Sequence, residues 1–546
     1  MKNNKFLILL LAIILLGGML RFWKLDQYPV SLSIDEVAVG YNAYSILETA
    51  RDEYGSFLPL VFRSVGDYKP PVLIYLMTPA IAIFGLNEFG IRFTVALIGA
   101  FTLLVVFLLI KQITKNKSLG MLTAFFLAIS PWHIFFSRAS FEAIVALFFV
   151  LLGAWLFHRA LELKGKFLWL SGIFFVISIY SYHAERIFVP LLVLGMILIY
   201  RKELLRYKTA SVKMLIISFL LLLPLLIMML GPEGQTRAKM TFIAQDEQIA
   251  YQLHQSGETL SMTGKILDNN FIILGNFWIK RYLNYWDPSF LFLKGMKFSQ
   301  PGAPDSGIFY FFELPLFLIG LWLLIFGKII KNKKAKKLFI LWLLIGPLAA
   351  SLANNDQHAL RSLTTIPMPQ LIVAFGSVFL LNFVIKLKQR IKFFLFSLGF
   401  VIIILNIIYV GDLYFIHYPI QFSENWDYGL KEAALFAWNH ESEYNEIVID
   451  NIFGTLGPYF VGTPHLYMLV YGKYNPKILQ KEKSKDLENF YKFNFRTIYW
   501  PEDRFKENTL FIGSPWRLPL NDIDESQILK RIYFKNGQLG WLIVKT

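Results

Sequence analysis

The sequence predicts a polytopic α-helical membrane protein with a small soluble α/β domain at its C-terminal end. Of its 546 residues, 55% are hydrophobic and only 17% are charged, whereas an ordinary soluble domain has about 25% charged residues. Apolar runs of roughly 15 to 23 residues recur along the first 410 positions, and that length is typical of membrane-spanning helices. From residue 411 onwards the composition becomes that of a soluble protein.

The basic residues indicate which loops face the cytoplasm. The formal net charge is +16, and most of the excess lies in short clusters between apolar runs. Because Lys and Arg are enriched in cytoplasmic loops, we expect every cluster on that side, so the charge requires no nucleic-acid partner. The clusters lie near residues 2–5, 111–117, 159–166, 201–213, 328–337 and 386–392.

These anchors predict eleven membrane-spanning helices within a membrane domain formed by residues 1–410. The first runs from residue 6 to about residue 23, and it is interpreted as an uncleaved anchor because no small-residue cleavage site follows it. The other ten lie near residues 91–110, 119–136, 143–161, 167–181, 187–200, 213–230, 308–327, 338–352, 364–385 and 393–410. External turns are then expected at 137–142, 182–186 and 353–363, with longer external loops at 24–90 and 231–307.

One further apolar stretch, residues 71–86, is interpreted as a helix that lies along the outer membrane interface. It is short and contains Pro79, and a crossing here would move the basic cluster at 111–117 outside and invert every later basic loop. We therefore predict that residues 24–90 form one external loop with an interfacial helical hairpin.

Residues 411–546 are predicted to form an extracytoplasmic α/β domain. The segments NEIVIDNI and TLFIGSP are typical of strands, and RIYFK and LGWLIVK flank Asn536-Gly537 as a hairpin does. The segment DYGLKEAALFAWNH predicts a helix. The formal net charge of this part, about −2, agrees with an external location.

The first external loop carries the earliest candidate site residues. In SLSIDEVAVGYNAYSIL, Asp35 and Glu36 precede a helical pattern, where a carboxylate either caps backbone N–H groups or acts as a general base. In VGDYKPPVLIYL, Asp67, Tyr68 and Lys69 precede two prolines. The lysine would contact either lipid phosphates or a substrate phosphate.

Three later external segments supply the other candidates. In SPWHIFFSRASFEAIVALFF, a basic and an acidic residue are spaced i, i+4, which predicts either a local salt bridge or a functional pair beside the membrane core. The histidine of that segment is interpreted as a packed residue. A late arginine at the mouth of the tenth helix is either an interface anchor or a phosphate ligand. The candidates are Arg138 and Glu142, then Tyr182, His183 and Arg186, and then His358 and Arg361.

The candidates share one predicted face of the membrane. Asp35, Lys69, Glu142, Arg186 and Arg361 come from five separate segments, and all are expected at the external side. Transfer from a phosphate-linked donor requires a carboxylate that activates the acceptor and cations that hold the leaving phosphate. The opposite face has many lysines but few acids, so it offers no comparable site.

As an ordered set, these motifs resemble the GT-C integral membrane glycosyltransferases, near the bacterial aminoarabinose-transferase and protein O-mannosyltransferase branches. The resemblance covers roughly residues 6–420 and rests on Asp35-Glu36, Lys69-Pro70-Pro71, GLNEFGIRF, SRASFE and HALRSLTTIP. The segments YLNYWDPSFLFLKG and GIFYFFELPLFLIGL are also similar to bacterial members.

The resemblance implies an inverting transfer of a hexose or pentose from a polyprenyl-phosphate donor to an acceptor hydroxyl, at the outer face of the bacterial cytoplasmic membrane. It implies that Asp35 is the base, that Glu36 and Glu142 support it, and that Lys69 and Arg361 hold the lipid phosphate. The whole substrate-binding set is then Asp67, Tyr68, Lys69, Arg138, Tyr182, His183, Arg186, His358 and Arg361.

The resemblance leaves metal dependence open. In the aminoarabinose branch an acid that takes part in a metal site directly precedes the lysine, whereas here Tyr68 does, with Asp67 one residue earlier. We therefore assign no metal ligands and no cofactor, and a divalent metal ion stays an alternative.

The expected partners are a polyprenyl-phosphate sugar, membrane lipids and a lipid, glycan or protein acceptor. Two other functions stay open. Charged residues at the membrane midplane would favour a transporter or flippase of lipid-linked sugars. A lipid-linked polysaccharide ligase would use His and Arg of a large late loop, without the early Asp-Glu pair. A further alternative is that the C-terminal domain is a binding module for acceptor or cell-wall glycans.

Overall fold

The computed structural model describes residues 2–231, 242–256, 269–296, 305–354, 357–482 and 489–546. The described part is mainly helical up to residue 422 and contains a six-stranded sheet beyond it. Much of the predicted external loop at 231–307, and part of the predicted turn at 353–363, lie outside the described residues.

Each of the eleven predicted spans contains a helix. Apolar residues dominate these helices, and polar caps or prolines begin several of them. The helices of this part, numbered in chain order, are α1 (Lys2–Phe22), α2 (Ile34–Thr49), α3 (Pro71–Phe84), α4 (Glu88–Thr114), α5 (Lys117–Ile129), α6 (Pro131–Ser137), α7 (Glu142–Glu162), α8 (Leu168–Ser181), α9 (Glu185–Ile199), α10 (Arg201–Arg206), α11 (Lys208–Leu230), α12 (Glu247–Ser256), α13 (Asn270–Asn284), α14 (Glu313–Ile325), α15 (Lys333–Ile345), α16 (Leu348–Ser351), α17 (Met368–Val384) and α18 (Gln389–Asp412).

Several of these helices can cross a membrane by length and composition. Among the described helices, five do so, namely α1 from Asn4, α4, α7, α11 and α18 with its continuation to Phe422. A sixth is added if α5 and α6, which are bent by 59° relative to each other, form one span. The chain is therefore an integral membrane protein, while the number of eleven crossings stays a prediction.

Ion pairs join segments that the charge pattern assigns to the cytoplasm. Lys115, between α4 and α5, pairs with Glu162 at the end of α7. Lys334, in α15, pairs with Glu203 in α10. Both contacts bring together segments that carry basic clusters, which agrees with a common side for these four segments.

The loop predicted to be the first external one folds as a helical hairpin. A short antiparallel pair of strands, β1 (Phe62–Ser64) and β2 (Asp67–Lys69), connects α2 to α3. Pro71 begins α3, where its missing N–H needs no partner. The pair of helices expected at 24–90 is thus present, and its position at the membrane interface stays a prediction.

Glycines allow α14 and α17 to approach each other closely. A Cβ atom at Gly320 would overlap the carbonyl oxygen of Ile372, and one at Gly376 would overlap that of Leu316. Without a hydrophobic driving force between helices in lipid, such close backbone packing is a main source of helix association. Only glycine fits at either position.

The C-terminal sheet has the strand order β6-β7-β3-β8-β10-β9. Its two central strands, β3 and β8, are parallel to each other and nearly completely buried, as strands covered on both faces are. The strands of this region are β3 (Glu446–Ile449), β4 (Ile452–Phe453), β5 (Phe460–Val461), β6 (Asn489–Phe490), β7 (Phe493–Phe495), β8 (Thr509–Gly513), β9 (Ile528–Tyr533) and β10 (Leu539–Lys545). Its helices are α19 (Tyr418–Phe422), α20 (Leu430–Asn439), α21 (Pro464–Tyr471), α22 (Pro476–Leu479) and α23 (Trp500–Asp503).

The predicted strand segments of this region are strands in the structure. NEIVIDNI forms β3 and β4, TLFIGSP contains β8, and β9 and β10 form the hairpin around Asn536-Gly537. The predicted helix is α20. Strands β5, β6 and β7 were not predicted, because strands of two and three residues are too short to show an alternating pattern.

The division of the chain at residue 410 stays a prediction. The helical course of α18 runs on past that position through Leu413–His417 and α19, and it ends at Phe422. The C-terminal region also packs against the segment 24–90. The Tyr41 hydroxyl donates to the Tyr474 carbonyl at 2.9 Å, and the Gln480 amide donates to the Asp52 carbonyl at 2.8 Å.

We predict that Gly376→Ala weakens the membrane domain, since the added methyl group forces α14 and α17 apart. Overpacking of this kind costs about 1–3 kcal/mol, so the thermal unfolding temperature in detergent should fall. Gly399→Ala in α18 is the matched control, because its Cβ would meet nothing within 4 Å. Equal melting temperatures for the two variants would contradict the proposed helix contact.

Candidate functional site

Asp35 lies in the first turn of α2 but does not cap it. The cap is Ser33, whose hydroxyl accepts from the Glu36 N–H at 3.3 Å, while the Glu36 carboxylate accepts from the Ser33 N–H at 3.0 Å. This reciprocal arrangement is a capping box. Of the two alternatives for Asp35, the N-cap is therefore excluded, and its side chain is available for another contact.

The partner of Asp35 is Lys69, at the end of β2. The Lys69 ammonium donates to the Asp35 carboxylate at 2.6 Å, and it lies 3.7 Å from the Asp67 carboxylate. The lysine side chain is 12% exposed, whereas that of Asp35 is 41% exposed. Asp35 thus remains accessible to a molecule arriving from outside the protein, although it is held in place by an ion pair.

Glu142, in the first turn of α7, supplies a third negative charge to this site. It is 6% exposed, and its charge acts on Lys69. Burial lowers the pKa of Lys69, but Asp35, Glu142 and Asp67 outweigh that effect and raise the pKa above its ordinary value. The lysine is therefore a permanent cation that keeps a neighbouring carboxylate ionised.

Three of the predicted site residues thus come together from different parts of the sequence, in α2, β2 and α7. Within the part of the chain that the structure describes, no three His, Asp or Glu side chains are grouped so that they could hold a metal ion. The arrangement can accept a proton at Asp35 and bind an anion at Lys69.

Glu36 has a different environment from Asp35, because it is completely buried. Its carboxylate accepts from the Arg92 guanidinium at 2.8 and 3.2 Å, and from the Ser140 N–H at 3.2 Å. These contacts join α2 to α4 and to the segment before α7. Glu36 was predicted to support Asp35. Its contacts fix the end of α2 on which Asp35 lies, so its contribution is structural.

Arg92 was not singled out as a site residue, although it lies in the GLNEFGIRF segment. Besides Glu36, it donates to the carbonyl oxygens of Leu25, Pro29 and Ser31 at 3.1, 3.0 and 2.5 Å. The loop that leads from α1 to α2 is thus wrapped around one buried guanidinium. The sequence signal that could have identified Arg92 is a basic residue near the start of an apolar helix.

Arg138 is placed at the site end of the bundle but is occupied by backbone groups. Its guanidinium is completely buried, and it donates to the carbonyl oxygens of Leu20, Trp23 and Tyr28 at 2.9, 2.7 and 3.1 Å. Because a helix ends with unpaired carbonyl groups, these contacts cap α1. We therefore interpret Arg138 as a residue that holds α1 and the loop after it, rather than as a substrate ligand.

Arg21 makes the reciprocal contact at the end of α5. It donates to the carbonyl oxygens of Ala128 and Leu127 at 3.1 and 3.3 Å, and its Nη2 lies 2.8 Å from Nδ1 of His133. His133 is completely buried. Its interpretation as a packed histidine agrees with this environment.

The predicted cluster at 182–186 lies in the turn between α8 and α9. Tyr182 is buried, and its ring centroid lies 6.5 Å from that of His183. Arg186 lies in the first turn of α9. The Ser178 hydroxyl, near the end of α8, donates to the Ala146 carbonyl, near the start of α7, at 2.9 Å. The turn is therefore at the same end of α7 as Glu142.

The late candidates His358 and Arg361 lie between α16 and α17. The His358 N–H donates to the Tyr285 hydroxyl at 3.0 Å. Burial and the charge of Arg361 lower the pKa of His358 to about 4, so the histidine is neutral at pH 7. Among the described residues, Nη1 of Arg361 is buried and has no hydrogen-bond partner. The Arg361 guanidinium thus supplies positive charge to this turn, and its Nη1 can donate to an anion.

A cavity of about 860 Å³ was not expected from the sequence, and none of the predicted site residues is among the residues that line it. It is bounded by the loop after α1, the end of α18 and α20 of the C-terminal region. Its walls combine aromatic rings with both acids and lysines. The lining residues include Tyr28, Ser31, Glu88, Phe415, Tyr428, Lys431, Glu432, Phe436, Lys530 and Lys535.

Comparison with known proteins shows a similarity to one family over part of the chain. Residues 68–228 match a family model described as dolichyl-phosphate-mannose-protein mannosyltransferase. The crystal structure of the Archaeoglobus fulgidus oligosaccharyltransferase tethered with an acceptor peptide has a TM-score of 0.52 to this chain, at 14% identity. The predicted resemblance to the GT-C glycosyltransferases is confirmed. The matched family segment contains Lys69 and Glu142, and Asp35 lies before it.

The aligned regions differ in extent. The archaeal structure matches over 86% of this chain and 63% of its own, which shows a common fold. The Bacillus subtilis protein named "Putative mannosyltransferase YkcB" is 33% identical over 126 residues, which are 23% of this chain and 17% of that protein. The structure of ArnT from Cupriavidus metallidurans bound to undecaprenyl phosphate matches over 99% of this chain and 98% of its own, at 10% identity and a TM-score of 0.48.

We predict that Glu36→Gln destabilises the protein, because it leaves the Arg92 guanidinium buried without its counter-charge. Loss of one partner of a buried ion pair costs about 3–5 kcal/mol, which a thermal unfolding experiment in detergent would detect. Glu525→Gln serves as the control, since Glu525 pairs with Arg531 on the surface and its loss should leave the melting temperature unchanged. An unaltered melting temperature for Glu36→Gln would show that the pair is dispensable.

Proposed function

We propose that this protein is an inverting glycosyltransferase that moves a sugar from a polyprenyl-phosphate donor to an acceptor hydroxyl. The observation that carries the proposal is the pair of Asp35 and Lys69, an accessible carboxylate 2.6 Å from a buried ammonium. The family matched by residues 68–228 is named for a donor of this class, a sugar linked to a lipid phosphate.

The geometry supports the following chemistry. Asp35 accepts the proton of the acceptor hydroxyl while the hydroxyl oxygen forms a bond to the anomeric carbon of the donor. The bond from that carbon to the phosphate oxygen breaks on the opposite side, so the configuration at the carbon is inverted. The products are the glycosylated acceptor and the polyprenyl phosphate, and the proton remains on Asp35 until it is released to water.

The cations of the site have two tasks in this reaction. Lys69 keeps Asp35 ionised and correctly oriented, and it has further N–H groups that can reach a phosphate oxygen. Arg361 supports the leaving phosphate, since its buried Nη1 has no partner among the described residues. Charge that develops on the phosphate during bond cleavage is stabilised by such preorganised cations.

We further propose that the site and the C-terminal domain face the outside of the cell membrane. This proposal is supported by the basic clusters, which lie at the helix ends opposite to Asp35. Transport of a lipid-linked sugar is less well supported, because Asp35, Lys69 and Glu142 lie at helix ends or in a loop rather than at the middle of a span.

We predict that the C-terminal domain is extracytoplasmic. A reporter fused after Thr546 should therefore be active only if it is of a type that functions outside the cytoplasm. A reporter inserted within the basic segment 328–337 should give the opposite result, because positively charged loops stay in the cytoplasm. Paired alkaline phosphatase and fluorescent-protein fusions measure this. A cytoplasmic signal at the C-terminus would refute the proposed orientation.

We predict that Asp35→Asn lowers transfer activity by about 10²–10⁴-fold, because general-base assistance contributes that much. The variant should remain folded and bind the donor. The measurement is transfer of radiolabelled sugar from a polyprenyl-phosphate donor, with donor binding assayed separately. Asp67→Asn is the matched comparison, since it removes a carboxylate 3.7 Å from the same lysine, and less than a tenfold loss is expected. Near-normal transfer by Asp35→Asn would exclude it as the base.

We predict that Arg361→Ala weakens use of the donor. A hydrogen bond to a charged group contributes about 1.5–3 kcal/mol, so kcat/KM for the donor should fall roughly ten- to a hundredfold. Arg531→Ala, which removes a surface arginine of the C-terminal sheet, should retain full activity. Full activity of Arg361→Ala as well would mean that the phosphate is held elsewhere.

A further inference from the structure

The C-terminal domain contacts the chain just before Asp35 through one buried hydroxyl. The Tyr467 hydroxyl oxygen, in α21, lies 2.6 Å from the carbonyl oxygen of Leu32 and 3.1 Å from Oδ2 of Asp427. Tyr467 is completely buried and Asp427 is 5% exposed. The three residues therefore interact with little competition from water.

The number of protons available limits how this contact can be made. A tyrosine hydroxyl has a single proton to donate, yet both of its neighbours, a carbonyl and a carboxylate, are acceptors. Both contacts are hydrogen bonds only if Asp427 carries a proton and donates it to the hydroxyl oxygen, while the hydroxyl donates to Leu32. When Asp427 is ionised, the charged oxygen is the stronger acceptor and draws the hydroxyl proton away from Leu32.

The Leu32 carbonyl is close to the proposed catalytic group in the chain. Leu32 directly precedes Ser33, which caps α2, and Asp35 follows two residues later. The carbonyl before it, that of Ser31, is held from the membrane domain by Arg92 at 2.5 Å. The start of α2 is thus held by the membrane domain on one side and by the C-terminal domain on the other.

We propose that Tyr467 is a positioning residue for Asp35, and that protonated Asp427 keeps the Tyr467 hydroxyl directed at the Leu32 carbonyl. The role for Asp35 rests on the proposed glycosyl transfer. The hydrogen-bonded chain itself does not, so the two can be tested separately.

The proposal predicts a direction for the effect of pH. Burial raises the pKa of Asp427 to about 7, against a lowering contribution from the Tyr467 hydrogen bond. Tyr471 in the same helix and Glu36 in α2 are the other titratable groups whose charges act on Tyr467. Since the protonated carboxyl supports the contact with Leu32, the contact is complete below about pH 7 and is lost as the pH rises through that value.

Hydrogen–deuterium exchange of the full-length protein in detergent tests the contact without reference to activity. The peptide covering residues 29–36 is followed at pH 6 and pH 8.5, with correction for intrinsic exchange rates. Tyr467→Phe should speed its exchange at pH 6 by about fivefold, which is the factor for one ordinary hydrogen bond. Tyr471→Phe is the matched control, because it removes a buried hydroxyl of the same helix that donates to Glu88 at 2.9 Å. It should leave this peptide unchanged.

Asp427→Asn tests the role of the proton on the Asp427 carboxyl. Its amide N–H donates to the Tyr467 hydroxyl as the protonated carboxyl does, so the variant should keep slow exchange at both pH values, whereas the unmodified protein changes between them. In the transfer assay, Tyr467→Phe should lower kcat about fivefold with little change in KM for the donor. Asp427→Asn should extend the active pH range upwards.

Two results would overturn the proposal. One is equal exchange at residues 29–36 in Tyr467→Phe and Tyr471→Phe. The other is the same pH dependence in Asp427→Asn as in the unmodified protein. If the exchange results are as expected but neither the protein nor its variants transfer sugar, the hydrogen-bonded chain stands and the proposed function fails.

Discussion

The ion pair between Glu36 and Arg92 determines the geometry on which the rest of the site depends. Both side chains are completely buried, so each must satisfy its polar atoms within the protein. They do so through the N–H groups of Ser33 and Ser140 and three loop carbonyls. Because these partners come from several segments, one desolvated pair joins α2, α4, the loop after α1 and the segment before α7. Asp35 acquires its position from this network.

Two adjacent carboxylates thus have opposite roles because of where they point. Successive helical side chains are about 100° apart around the axis. Glu36 is directed into the protein, and Asp35 towards Lys69 and the surface. The buried acid holds the helix, and the accessible acid is the proposed base.

Much of this could be predicted from the sequence, and the failures have physical causes. Apolar length and basic loops locate the helices, and alternation locates β3, β8 and the final hairpin. The break between α5 and α6 at Ser130-Pro131 was missed, because an apolar run looks the same when it bends. Asp35, Lys69 and Glu142 do meet, as expected of a common face. Arg138 binds carbonyl groups, which leave no trace in side-chain patterns, and the contact of Tyr467 with Leu32 spans 435 positions, beyond the range of any local signal.

The exchange of arginines between α1 and the α5–α6 region bears on how the membrane domain assembles. Arg21 from α1 caps the end of α5, and Arg138 from beyond α6 caps the end of α1. Neither helix end can satisfy its carbonyl groups alone. During synthesis we therefore expect the terminal carbonyls of α1 to depend on water until Arg138, more than a hundred positions later in the chain, can replace it. The two sets of contacts form between the same two parts of the chain, so they couple the end of α1 to the α5–α6 region.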